Sequence, residues 1–390
     1  MIYKVIGKYK ELKNLLSKKG HIITYILLIT LYVVCLVHQS SAQSNISVDT
    51  TLRKILAQHG NKLTGMEVAV VQHGKVLYSK GFGYSDRASK MLCTDATMME
   101  VASLSKAMVG LAIARLVEMD LCTLDSPINK MLPFAVVNPY ALAEAITLRH
   151  VVTHTSGIHD APQFFIHTMQ YTDYKDPDIP LTNFVANFLS PTGKWYSKHS
   201  FNKRGAKPYP VDYSNLNAAL AALVVEYLTG ISFEQFTQQH IFNKAGMQHT
   251  GWFFKQLTGK HLAQKYMANG LRLRHYTIRS YPSSTLYTTA TDISKLLCML
   301  TAQNNNTAFG NGSTLSLVCD DRNNMYEYGI FWKRYGKAYG STGMNLGIDA
   351  RLRINPRSGT GYVIMFNQTL NKRNTRLRNA VAEYLDGVGR

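Results

Sequence analysis

With 390 residues, 46% of them hydrophobic, the chain can fill one large core or two intimate ones, and disorder is not its default. Its 43 lysines and arginines against 24 acids give a formal charge of +19. That balance fits anionic lipid, a cell-wall polymer or a solvated basic surface; without a recognition motif it argues against nucleic acid.

Residues 1–21 carry six lysines and one glutamate, followed by an apolar run over 22–37 and by Gln39-Ser40-Ser41-Ala42-Gln43. This predicts an export signal: the run of about 16 residues falls short of a comfortable span, and Ser40 and Ala42 are small residues suited to cleavage. Residues 1–42 are expected to act as a signal peptide cleaved after Ala42, or otherwise as an N-terminal anchor associating with membrane through 22–37. The remainder should then be exported, periplasmic or on the outer face of the inner membrane. Without 1–42, which contribute a net +5, the charge is still +14. Of five cysteines, Cys35 lies in the apolar run, while Cys93, Cys122, Cys298 and Cys319 follow at long spacings that read as buried free thiols.

Residues 49–58 read as a helix ending near Gly60. Residues 67–71 and 75–79 flank Gln72-His73-Gly74, a hairpin pattern. From 96 to 319 the periodicity is mostly helical, over 106–118, 216–228, 233–242 and 291–300. Between 161 and 212 it dissolves into an aromatic, proline-containing, basic excursion with Lys194, Lys198, Lys203, Arg204 and Lys207. Strands are expected again at 328–333, 350–354 and 361–366, and a last helix at 375–384. The chain thus predicts an α/β fold of the α+β type. One antiparallel sheet is built from 46–95 and 320–390, with flanking helices and a mostly helical region (96–319) inserted, all within a single domain over 43–390.

The most informative feature is Val101-Ala102-Ser103-Leu104-Ser105-Lys106. Ser103 and Lys106, three apart where a helical pattern begins, share a face, so the amine can reach the hydroxyl. A helix start also favours the negative charge of an alkoxide or oxyanion. S-x-x-K alone should occur on the order of once or twice by chance in such a chain. It gains weight from its ordered company: Leu116-Val117-Glu118 through Leu124-Asp125-Ser126-Pro127, Thr153-His154-Thr155-Ser156-Gly157, Tyr213-Ser214-Asn215-Leu216, Gly246-Met247, Thr288-Thr289-Ala290-Thr291-Asp292, and Gly340-Ser341-Thr342-Gly343.

On these motifs, over about residues 50–370, the chain resembles the penicillin-recognising serine hydrolases, in the branch of class C β-lactamases, D-alanyl-D-alanine carboxypeptidases, D-aminopeptidases and esterases. The resemblance implies a β-lactamase/transpeptidase-like fold and an acyl-enzyme on Ser103. It makes Lys106 and Tyr213 the proton relay, Tyr213 serving as a base if cationic neighbours lower its pKa, and has Asn215 bind the substrate amide or hold Lys106. Ser341, Thr342 and Gly343 would line the substrate strand, and the backbone N–H groups of Ser103 and Met344 would form the oxyanion hole. His154 and His150 are read as structural. Ser341 departs from the lysine or histidine usual there. Two readings follow: Arg351 or a lysine of 194–207 supplies the missing cation, or the substrate is an ester or amide without a free carboxylate. The expected partner is a small-molecule, peptide or ester substrate, including peptidoglycan-derived ones. The alternative is a catalytically weak binding or structural module that contacts cell-wall polymer. No cofactor or metal is expected, because no credible ligand spacing or phosphate loop is present.

Overall fold

The computed structural model describes residues 47–59, 63–172, 174–203, 210–257, 261–302, 314–319 and 327–388. Segment 1–42 with its apolar run and Cys35, and also Arg204 and Lys207, lie outside the described residues. The chain divides into two compact units, Met1–Lys54 and Ile55–Arg390. In the first the described residues 47–54 are helical, and that helix, α1, continues over 47–59.

In the second unit, β1 (Gly65–Gln72) is a nearly continuous buried apolar run, the pattern of a strand covered on both faces. It turns back into β2 (Lys75–Asp86) through His73 and Gly74, whose φ values of 46° and 76° are those of a two-residue hairpin turn. A short β3 (Met91–Leu92) extends this edge. The other strands come from the far end of the chain: β4 (Lys333–Tyr335), β5 (Ala338–Asn345), β6 (Ile348–Asn355) and β7 (Thr360–Phe366). They form one antiparallel sheet in the order β3-β2-β1-β7-β6-β5-β4. β1 and β7 close it, pairing Met66 with Phe366 through to Gln72 with Thr360. The sheet assembled from the two ends of the sequence is therefore the observed architecture.

Alternation along the strands sorts their side chains. Ala69, Val71, Ala350, Leu352, Ile354, Val363 and Met365 join the main core with the buried faces of α2 (Lys106–Glu118), α3 (Asn215–Thr229) and α4 (Ala290–Thr301). The opposite face carries Tyr362 and Arg353 side by side, and α5 (Lys372–Gly387) packs against β7. Each fully buried leucine or phenylalanine of the core contributes about 1.5–3 kcal/mol, and Leu216, Leu220 and Leu223 of α3 are all at 0% exposure.

α2 is buried on all sides from Lys106 to Ala114. It has no side chain at Gly110, where a Cβ would lie 2.2 Å from the Ile330 carbonyl oxygen. Here the expected strand at 328–333 is replaced by bends, and only Lys333–Tyr335 is extended. Tertiary bonds override the β-propensity: Phe331 takes a φ of 58° while its N–H donates to Val152 O, and Trp332 Nε1 donates to Ala107 O. The helical pattern over 233–242 likewise resolves into Phe233–Thr237 followed by a π turn, Gln238–Phe242. Cys93, Cys122 and Cys298 are free thiols, Cys93 buried and the other two partly so, and Cys319 is partly buried. Among the described residues no single helix is long and apolar enough to cross a membrane.

Candidate active site

Ser103 sits in a 3-10 turn, Ala102–Ser105, that runs directly into α2. The residue before it, Ala102, has a φ of 46°, a left-handed conformation uncommon outside glycine. Ala102 is held there by burial against Tyr276, Ile278 and Ile348. The kink half-exposes Ser103 while Lys106, one turn on, is only 2% exposed.

The Lys106 ammonium has three partners: Ser103 Oγ at 3.2 Å, Asn215 Oδ1 at 2.7 Å and the Ser283 carbonyl at 2.9 Å. Burial lowers its pKa to about 7, while the negative charge of Asp160 works in the opposite direction. A substantial fraction of Lys106 is therefore neutral near pH 7 and able to accept a proton.

Asn215 opens α3, where unpaired backbone N–H groups need acceptors. Asp160 supplies them, taking bonds from Asn215 N at 2.8 Å, Leu216 N at 3.2 Å and Ser214 Oγ at 2.6 Å. It also accepts from Asn215 Nδ2 at 2.7 Å, which turns the amide oxygen of Asn215 toward Lys106. Asp160 was not singled out from the sequence. The signal available was an acid three residues after Gly157, with no way to see that it meets a helix start 55 positions later.

Replacing Asp160 by asparagine is therefore expected to lower stability by about 1.5–3 kcal/mol, the range for hydrogen bonds to a charged group. It should also move the acid limb of the pH–rate profile downward, because the nearby negative charge that raises the Lys106 pKa is removed. An unshifted limb in a folded D160N protein would contradict this arrangement.

Tyr213 stands across the cavity, its ring centroid 4.8 Å from the Lys106 ammonium. Desolvation pushes its phenol well above the usual value near 10, and the adjoining Ser103 hydroxyl only partly offsets this. The phenol is thus protonated at neutral pH, and the lowered value expected from a cationic neighbour is not what its surroundings produce. His154 backs Tyr213 at 4.6 Å between ring centroids and is fully buried. Its Nδ1 accepts from Ser214 N at 3.3 Å, which assigns the proton to Nε2. Burial drives its pKa well below 6.5, so it is a neutral wall.

Strand β5 forms the opposite side. Gly343 packs on the nucleophile turn so closely that a Cβ would lie 1.9 Å from Val101 O, 2.9 Å from Leu104 N and 3.0 Å from Ser103 N. This contact sets Met344 beside the Ser103 turn. Ser341 directs its hydroxyl at the Ser103 carbonyl, 3.4 Å away.

Ser103, Lys106, Tyr213, Ser341, Thr342 and Met344 all line one cavity of 210 Å³; Asn215 and Gly343 support it from behind. Arg351 and the lysines of 194–203 are absent from that lining, so neither stands in for the missing cation. Besides Lys106, the lining cation among the described residues is Lys333, on the strand next to β5, and it is paired at 2.6 Å with Glu327. Lys333 was legible only as the end of a strand pattern, because its approach depends on the kink at Phe331.

The Beta-lactamase family model matches residues 49–386. The chain is 28% identical over 258 residues to a teichoic acid D-alanine hydrolase of Staphylococcus aureus, a match covering 65% of this chain and 58% of that protein. The match thus spans little more than half of the curated relative. The fold superposes on FmtA from Staphylococcus aureus with a TM-score of 0.62 at 23% identity, covering 85% of this chain and 86% of that one. It superposes on a class C β-lactamase from Rhodobacter sphaeroides with a TM-score of 0.65 at 16% identity, covering 87% and 99%. Motifs, sheet and family match agree: the chain belongs to the Beta-lactamase family.

Proposed function

We propose that this protein hydrolyses an ester or amide through an acyl-enzyme on Ser103, with Lys106 as the base and Tyr213 as a protonated relay. The observation that carries the reading is the buried Lys106 amine, 3.2 Å from Ser103 Oγ and held by Asn215. Neutral Lys106 takes the Ser103 proton as Oγ bonds to the acyl carbon, and the Ser103 and Met344 N–H groups receive the developing oxyanion. The bond to the leaving group then breaks, and that group takes a proton through Lys106 and Tyr213. A water, deprotonated along the same path, attacks the acyl carbon, and Ser103 recovers its proton as the acid product departs.

Substrates without a free carboxylate fit this site best. Ser341 is neutral, and Lys333 is already committed to Glu327. The relative named as a teichoic acid D-alanine hydrolase suggests one such class, acyl esters on cell-wall polymer: a D-alanyl group held through its carboxyl presents no free carboxylate. An exported location suits that substrate.

The test is a kinetic comparison of the parent with Ser341→Lys on a carboxylated β-lactam and a neutral ester. The parent should favour the ester. The variant should gain roughly ten- to a hundredfold on the β-lactam alone, the value of one charge-assisted hydrogen bond. Equal changes on both compounds would contradict the carboxylate argument, and no hydrolysis of either by folded parent would favour a binding module instead.

A further inference from the structure

On the face of the sheet opposite the main core lies a cavity of 720 Å³, more than three times the volume of the one at Ser103. Its basic groups are Lys337 from the β4–β5 turn, Arg351 and Arg353 from β6, and Arg357 from the turn that follows, with Asp386 of α5 as the acid in the lining. Four cations face one carboxylate there. Arg351 makes no hydrogen bond or ion pair to any described residue, and its Nε is buried without a partner. Burying an unpaired guanidinium donor is expensive unless an acceptor arrives.

Arg353 is 6% exposed, stacked 3.4 Å over the Tyr335 ring, and uses one nitrogen on the carbonyls of Leu352 and Ser341. Its remaining guanidinium N–H groups have no acceptor among the described residues. Asp386 accepts from Tyr362 at 2.9 Å rather than pairing with either arginine. The cavity therefore combines surplus positive charge, forked donors and aromatic walls.

We infer that this cavity is an anion-binding site for a phosphate ester, adjoining the catalytic cleft, with which it shares the Tyr335 side chain as a wall. A doubly charged phosphate matches a net surplus of three cations better than a single carboxylate does, and guanidinium forks bind its oxygens in pairs. The space beyond one phosphate, walled by Tyr335, Tyr362 and Leu385, accommodates the organic part of the ester. Because Arg353 also bonds the carbonyl of Ser341, the occupied site abuts the strand that lines the catalytic cleft.

The experiment is calorimetric titration of the full chain with glycerol phosphate, inorganic phosphate and succinate, at constant ionic strength set with chloride. Glycerol phosphate should bind more tightly than succinate. Arg351→Gln, which removes no hydrogen bond among the described residues, should weaken binding by about tenfold or more, and Arg357→Gln should weaken it less. Lys333→Gln, which alters the catalytic cleft, should leave binding unchanged. Binding unaffected by R351Q in a protein with parental circular dichroism, abolished by K333Q, or no stronger for phosphates than for succinate would overturn the inference.

Discussion

Replacing Lys106 by methionine is expected to lower kcat/KM on an activated ester by about 10²- to 10⁴-fold, the usual contribution of a positioned general base, while the protein stays folded. Methionine fills most of the volume of the buried side chain, and it removes the charge that burial opposes. The pH profile gives the sharper reading. The active form of Lys106 is the neutral amine, so the parental rate should be low in acid, rise through about pH 7 and level off above it. The residual rate of K106M should lack that rise. A parental limb governed by a group titrating near the ordinary lysine value, or a rise that persists in K106M, would assign the base elsewhere.

Gly343→Ala should damage stability and catalysis together. The added Cβ would meet backbone atoms, with Val101 O only 1.9 Å away, so no side-chain rotamer can relieve the contact. Either β5 or the Ser103 turn must shift. Overpacking of this kind costs about 1–3 kcal/mol, and a clash with backbone lies at the upper end. The N–H groups of Ser103 and Met344 would also separate, and losing one oxyanion donor lowers kcat by about 10²- to 10³-fold. Thermal unfolding and ester kinetics on the purified variant check both effects. A variant with parental melting temperature and parental kcat would show that β5 does not need its glycine there.

The features legible in the sequence are those set by local pattern. The run 67–71, the glycine turn and the run 75–79 led directly to the first hairpin, and the helical period at 106–118 placed Lys106 one turn beyond Ser103. The motif order indicated that Tyr213 and Asn215 would meet them, and in the structure they do. What was hidden depends on long-range approach. Asp160 gains its role only because α3 begins against it. Lys333 reaches the cleft only because Phe331 adopts a left-handed backbone that its β-propensity argues against. Gly110 looked ordinary in a list of residues and Gly343 read as part of the substrate strand, and the distances to Ile330 and Val101 show that a Cβ at either would collide with backbone. Tyr213 carried a chemical expectation of a lowered pKa that desolvation reverses. Positions of groups were easier to read than their energies, because burial follows from the whole packed structure.

The proposed reaction turns on a covalent bond between Ser103 Oγ and the acyl group of the substrate. Mass spectrometry of the intact protein after brief exposure to an activated ester and to a fluorescent penicillin, followed by peptide mapping, tests it most directly. The expected result is an acyl adduct confined to Ser103, stronger for the ester and absent in Ser103→Ala. Folded parent that carries no adduct with either reagent while turning over the ester, or an adduct on another residue, would contradict it.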